Sequence, residues 1–411
     1  MGSPRLRAPR RVACTVFALA VQSASAQLNL EPTLPLLPGL SAPGGAAPTV
    51  TVPATDPSED HTDGPAAPPP KPPGNVKGLS LSGRVDGGVP RAAPLGIPRV
   101  GKQNGYTRVV LTLPAGATYR VTPDGRDLHV DLTGVTADTL SGATNTDELR
   151  AWRLTPTPGG ARLTLTTPGV TTRSGWHNLL LPEDGGQSAR LVTDVSPAFF
   201  DTRPLTAAER TITPLPAPAP GDNPADRTVV LDPGHGGKYP GAIGAVTEKA
   251  VTLDIALRVR ALLRAAGVTV LMTRETDTHL FTSLNADLNA RPALATNQAR
   301  LFVSIHANAM PAASVNKGFG VETWWNPNHT GSPALAQALQ ANIIRMTGTF
   351  SRGLKNTQSL AVLRGAQVPA ALIEVGFVSH PVDGDNLKDD LYLDRLAIGI
   401  AQGIRDTLAA P

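Results

Sequence analysis

Residues 231–259 read LDPGHGGKYPGAIGAVTEKAVTLDIALRV. An apolar run, RTVVLD at 227–232, leads into a polar loop that holds five glycines and two prolines before residue 248. A helical pattern follows, with Ile255, Val259, Leu262, Leu263 and Ala266 on one face and Gly267 as a stop. Strand, glycine-rich loop and helix in that order form the unit from which α/β sheets are built. The loop displays one imidazole, His235, and Glu248 opens the helix. Taken alone, the pair reads as a solvated loop with a capping acid.

The same alternation continues to the end of the chain. VTVLMT (268–273), RLFVSI (300–305), GFGVETWW (318–325) and AALIEVGF (370–377) have the length and composition of buried strands. Ser332-Pro333 starts a helix carrying Leu335, Leu339, Ile343 and Met346 and closed by Gly348, and Leu396, Ile400, Ile404 and Leu408 stripe the last helix. Residues 227–411 are therefore expected to form an α/β domain with a mainly parallel sheet. Ligands of such sheets collect beyond the carboxyl ends of the strands. His235 follows the first strand, His306 follows RLFVSI, and Glu374 lies near the end of AALIEVGF. Two histidines and a carboxylate, with one position left for water, make a common catalytic zinc set. Zinc lowers the pKa of bound water to about 7, and a further carboxylate, Glu374, suits a proton carrier. The compact H-E-x-x-H pattern is missing, so the fold has to gather distant residues.

The rest of the chain has a different character. Arginines at 5, 7, 10 and 11, an apolar run from Val12 to Val21 and the triplet Ala24-Ser25-Ala26 read as a secretory signal over 1–26. The apolar run is about half the length that a membrane span needs. Removal of the signal takes away the single cysteine, Cys14, and four arginines, leaving 33 basic and 33 acidic side chains. Cysteine nucleophiles, thiolate ligands and disulfides are then excluded, and neither net charge nor a basic run argues for nucleic acid. Much of the chain's proline falls in 27–93, with tracts such as PAAPPPKPPG at 65–74, which reads as a coreless tether. A second proline-rich stretch, TPLPAPAPGDNPAD, ends a linker assigned to 201–226. Between them, 94–200 carries short alternating runs (TRVVLTL, DLHVDLTG, ARLTLTTP, ARLVTDV) separated by Gly, Pro and Asn/Asp turns, so a smaller all-β sandwich is expected there. It has no His/Asp/Glu cluster of catalytic spacing and reads as a binding or positioning module.

Two resemblances extend these readings. DPGHGGKYPGAIG, TEK, LMTRETD, LFVSIHAN, GVETWW, RGLK (352–355) and AALIEVGFVSHP resemble, in order, the motifs of the zinc-dependent N-acetylmuramoyl-L-alanine amidases of type 3, across essentially all of 227–410. The resemblance implies His235, Glu248 and His306 as ligands of one zinc ion and Glu374 as the catalytic glutamate. It also implies cleavage of the amide between N-acetylmuramic acid and the L-alanine of the peptidoglycan stem peptide. The pattern RVGKQNGYTRVVLTL…YRVTPDGRDLHVDLTGV resembles the AMIN domain, which implies targeting to peptidoglycan or a division site in the periplasm or cell envelope. Some amidases of this type carry a long inserted helix over the zinc; the stretches Asn308–Gly318 and Asn326–Ser332 leave no room for one, so activity without an activator is expected.

Other polar residues were placed by the same reasoning. Asn308 and Arg274 are candidate substrate contacts, and Arg274, Asp277 and Arg291 equally fit structural ion pairs. Asp232 suits either a partner for a ligand histidine or a turn. Glu322 reads most simply as structural, and Trp324 and Trp325 as a core ring and a stacking surface. His279 and His329 read as solvent-facing, and His380 as the cap of a turn. Two other readings remain: a zinc peptidase acting within the stem, and a wall-binding protein without catalysis.

Overall fold

The computed structural model describes residues 81–87, 92–144, 146–169, 174–184, 188–327 and 329–410. The signal at 1–26 and most of the tether at 27–93 lie outside the described residues. Among those described, no helix is long and apolar enough to cross a membrane.

In the N-terminal half, the strands Thr107–Thr112, Asp127–Thr133, Gly160–Thr166 and Arg190–Val195 match the four alternating runs. They belong to two sheets, one of six strands and one of four, in which every pairing is antiparallel. Val109 and Leu111 from the smaller sheet and Leu128, Val130 and Leu132 from the larger one enter a single apolar cluster around Trp176. Every second residue is apolar because alternate side chains face that cluster. The unit begins earlier than position 94: Ser82–Arg84 pairs with Thr118–Arg120, and Val85 is buried in the same cluster.

Six strands of the C-terminal half are numbered β1 (Thr228–Pro233), β2 (Thr269–Met272), β3 (Leu301–Asn308), β4 (Val321–Trp325), β5 (Ser351–Lys355) and β6 (Ala370–Phe377). Their order across the sheet is β2-β1-β3-β6-β4-β5. The pairings β1–β2, β1–β3, β3–β6 and β4–β5 are parallel, whereas β4 runs antiparallel to β6. The sheet is thus mainly parallel, as expected, and mixed only through the antiparallel β4–β6 pairing. The reason lies in the connection from β3 to β4, which holds only a 3-10 turn, Ala312–Lys317, in place of a crossover helix.

The main helices are α1 (Glu248–Ala265), α2 (Leu284–Ala293), α3 (Ser332–Thr347), α4 (Ala361–Arg364), α5 (Pro381–Asn386) and α6 (Asp390–Ala409). Both faces of the sheet are covered, so successive strand residues are buried on opposite sides. Val229, Leu231, Val303, Ile305 and Ile373 join the α1, α3 and α6 side, while Val230, Phe302 and Leu372 join the α2 and α4 side. The linker expected at 201–226 also packs on this half: Leu205 and Ile212 are buried with α6 residues, and Arg395 of α6 donates to the Arg203 carbonyl at 2.6 Å.

Candidate active site

At the carboxyl end of β1 the chain turns sharply through the glycine-rich loop that follows Pro233. His235 has φ +64°, and Gly236 and Gly237 follow at +128° and +54°. A histidine in the left-handed region is uncommon and has to be held there. Arg291 of α2 supplies part of the hold, donating from Nη2 to the His235 carbonyl at 2.8 Å and from Nη1 to the Pro233 carbonyl at 3.1 Å. Arg291 is itself fixed by Asp232 at 2.9 Å and Asp287 at 2.7 Å, all three groups fully buried. Asp232 also accepts from Thr273 and Ser304, at 2.6 and 2.7 Å, so it anchors the loop's backbone and makes no bond to an imidazole.

Arg274, a candidate for substrate contact or for a structural pair, packs against the same loop. It is 3% exposed, and all three of its nitrogens are engaged, with the Pro233, Gly234, Lys249 and Thr276 carbonyls among their acceptors. Burial, and then the neighbouring charge of Arg291, lower its pKa to about 10. Lys249 closes the loop from the other side, donating to the Gly237 carbonyl at 2.8 Å and pairing with Asp277, which accepts from the Gly237 amide at 2.7 Å.

These supports bring three predicted residues together. His235 Nε2 and His306 Nδ1 each lie 3.0 Å from Oε1 of Glu248, and the ligand atoms of the three residues all fall within 4.8 Å of one another. Backbone amides complete the carboxylate: Ala307 donates to Oε1 at 3.1 Å and Ala242 to Oε2 at 2.7 Å. Burial works to raise the pKa of Glu248, but its hydrogen bonds to both histidines outweigh that and hold it far below the usual range. Close backbone approach is a condition of this convergence. A Cβ on Gly234 would lie 2.5–2.7 Å from three atoms of the His306 ring.

Glu374 stands one strand away. It is in register with His306 on β3 and with Glu322 on β4, so three ionisable residues lie in a row across adjacent strands. Among the described residues, the buried atoms Glu374 Oε2 and His306 Nε2 have no hydrogen-bond partner. Desolvation, then the charges of Glu248 and Glu322, push the Glu374 carboxyl well above its ordinary pKa. A buried carboxyl of that kind is suited to carrying a proton near neutral pH. Two imidazoles converging on one carboxylate oxygen, with an unpartnered ring nitrogen beside them, fit a divalent ion that takes nitrogen and oxygen ligands.

The remaining candidates fall elsewhere. Asn308 borders the row, with Nδ2 3.4 Å from Glu322 Oε1 and Oδ1 accepting from the Ala309 amide. His279 stands edge-on to Tyr239, 5.8 Å between centroids, and His329 accepts from the Gly331 amide before α3. His380 caps α5 by accepting from the Asp383 amide at 3.3 Å. Glu322 is 4% exposed and salt-bridged at 2.8 Å to Arg352, the first residue of the RGLK motif, in keeping with the structural role expected of it.

Comparison with known proteins adds independent findings. A profile described as N-acetylmuramoyl-L-alanine amidase matches residues 229–406. The germination-specific N-acetylmuramoyl-L-alanine amidase of Bacillus subtilis is 35% identical over 188 residues, which cover 43% of this chain and 78% of that protein. N-acetylmuramoyl-L-alanine amidase LytC of the same organism is 38% identical over 179 residues, covering 43% of this chain and only 34% of LytC. Among solved structures, amidase AmiC2 of Nostoc punctiforme is 33% identical with a TM-score of 0.40, covering 45% of this chain and 98% of that one.

Proposed function

The chain belongs to the N-acetylmuramoyl-L-alanine amidase family, and on that premise we propose that it is an exported peptidoglycan hydrolase. Its substrate is the amide between the lactyl group of N-acetylmuramic acid and the L-alanine of the stem peptide. His235, Glu248 and His306 hold one zinc ion, and Glu374 carries the proton. The observation that carries this proposal is the His–Glu–His cluster with a buried, unpartnered carboxyl oxygen on the adjoining strand.

Zinc, when bound, supplies Lewis-acid polarisation of the amide carbonyl and a water of lowered pKa. The chain's own groups do the rest. Glu374, kept out of bulk water, accepts the proton released as water attacks and returns it to the leaving alanine nitrogen. One C–N bond breaks and one C–O bond forms, giving a lactyl carboxylate and a free amine. The loop-and-arginine scaffold keeps His235 in its strained backbone conformation, so the ligand set is organised before substrate arrives. Asn308, at the rim of the row, is the residue proposed to hydrogen-bond substrate.

The N-terminal sheets are proposed to be an AMIN-like module that places the enzyme on peptidoglycan or at a division site of the cell envelope, after export directed by the signal at 1–26. The short β3–β4 connection supports activity without an activator. The test is digestion of purified peptidoglycan followed by mass spectrometry of the soluble products. Intact stem peptides with a free N-terminal alanine are expected. Fragments cut within the stem would assign a peptidase instead, and the absence of soluble product would leave only wall binding.

A further inference from the structure

The row of ionisable groups at the sheet edge does not stop at Glu374. Glu322, its neighbour on β4, accepts from Trp324 Nε1 at 3.0 Å and Asn308 Nδ2 at 3.4 Å on one oxygen, and from Arg352 Nε at 2.8 Å on the other. Arg352 is the second residue of the next strand, β5, and its guanidinium carbon lies 5.0 Å from the centre of the Phe377 ring. The guanidinium is therefore held by a carboxylate along its Nε edge and by a ring. Its side chain is 30% exposed, and among the described residues Nη1 and Nη2 have no partner. One edge of a planar, preoriented fork is thus left without a partner among the described residues.

Neutralising Glu322 requires a positive charge but no open bidentate edge. The surroundings supply a reason for one. Glu374 and Glu322 lie in that row and Glu248 bonds His306 at its end, so a peptide carboxylate lying over β4 and β5, away from the metal ligands, needs a cation facing it. Resting on the amidase reading, we propose that Arg352 is a specificity-determining residue that receives a free carboxylate of the stem peptide through Nη1 and Nη2. The glycan side offers no such group at the scissile bond, because the lactyl carboxyl is the one tied up in the amide. Reach agrees with this assignment. Arg352 lies two strands from Glu374, about 10 Å at the usual strand spacing of about 4.8 Å, and an extended peptide covers that in roughly three residues.

The test separates carboxylate recognition from support of Glu322. The full chain carrying Glu374→Gln, which stops turnover, is titrated calorimetrically with a muramoyl tripeptide bearing free carboxylates and with its amidated counterpart. Amidation is expected to weaken binding roughly ten- to a hundredfold, the range for a charge-assisted hydrogen-bonded pair. Adding Arg352→Gln should weaken the free-carboxylate ligand by a similar factor and change the amidated ligand by less than about twofold. Arg352→Lys, which keeps the charge and loses the fork, should fall between them and covers the case in which the glutamine variant fails to fold. Equal losses on both ligands, indifference to amidation, or no binding of either ligand would overturn the proposal. Failure of the amidase reading shows separately, as wild-type protein that releases no stem peptide from peptidoglycan.

Discussion

Replacing Gly234 by alanine probes the proposed metal centre without removing any of its proposed ligands. The added Cβ would sit 2.5 Å from Cε1, 2.6 Å from Nε2 and 2.7 Å from Nδ1 of His306. Ordinary contact needs roughly 3.5 Å, so something must retreat by about 1 Å. The backbone of Gly234 cannot give way easily: its amide donates to the Ile305 carbonyl at 2.9 Å, and its carbonyl accepts from Thr252 at 3.0 Å and Arg274 at 2.9 Å. The His306 ring must therefore move, whereas zinc ligation tolerates deviations of only about 0.2 Å. Zinc affinity is expected to fall at least ten- to a hundredfold, with an overpacking cost of about 1–3 kcal/mol in the metal-free protein. Competition with a chromophoric chelator measures the first, and denaturant unfolding in chelator measures the second. At saturating zinc, the stabilisation that the metal confers should shrink by about 1.4–2.8 kcal/mol. Gly96→Ala, whose Cβ meets nothing within 4 Å, is the control. A Gly234→Ala protein that binds zinc as tightly as wild type would show that His306 is not a ligand in the arrangement described.

Three further outcomes are expected. Glu374→Gln should retain zinc and fold while kcat for stem-peptide release drops by roughly 10²–10⁴; an unchanged kcat would remove Glu374 from proton transfer. Asp383 is buried, which outweighs the Phe377 and Gly320 amides that it accepts and raises its pKa to about 7. A carboxyl raised above its unfolded value of about 3.9 stabilises fully below that value and progressively less as pH climbs toward the folded pKa. Wild type should therefore lose stability relative to Asp383→Asn by about 1.4 kcal/mol per pH unit between about pH 4 and 7, read by denaturant unfolding; a pH-independent difference would contradict the assignment. Finally, a fragment starting at 227 lacks Phe200, Leu205 and Ile212, all part of the C-terminal core. It should be less stable than a fragment starting at 198 by several kcal/mol, at about 1.5–3 kcal/mol for each buried side chain. Equal melting of the two would show that the 201–226 segment only drapes over the surface.

The parts of this molecule that sequence reading recovered are those in which a local pattern and a tertiary role coincide. β1, β3 and β6 are buried on both faces and so read as apolar runs, with His235 two residues beyond β1, His306 in the last half of β3 and Glu374 in the last half of β6. α3 and α6 carry an apolar stripe with a cap at one end, and Gly348, at φ +70°, ends α3 where the stripe stops. The segment at 201–226 was read from its prolines as a connection, because composition does not show that Leu205 and Ile212 have a hydrophobic surface to cover. In the sequence Arg274 fits substrate contact and structural pairing equally, for a related reason. A basic residue in a polar loop has the same signature whether it faces solvent or is spent on buried carbonyls, and only the positions of those carbonyls decide it.

Glu322 and Arg352 were hidden by a different property, the direction of a strand. In a parallel sheet the residues that reach the ligand edge come from strand ends, and Glu322 and Arg352 lie near strand starts, at the second position of both β4 and β5. Had β4 run parallel to β6, Glu322 would have sat at the opposite edge, as a structural acid. Its reversal places it in register with Glu374, and β5, parallel to β4, brings Arg352 to the same edge. Periodicity is blind to this, because a strand's apolar pattern reads the same in either direction. The signal that was available is the length of the link from β3 to β4, residues 309–320, which is at the lower limit for a crossover and so favours reversal. That reversal brings Glu322 and Arg352 to the edge that holds Glu374, and it makes the one antiparallel pairing the condition for the contact proposed for Arg352.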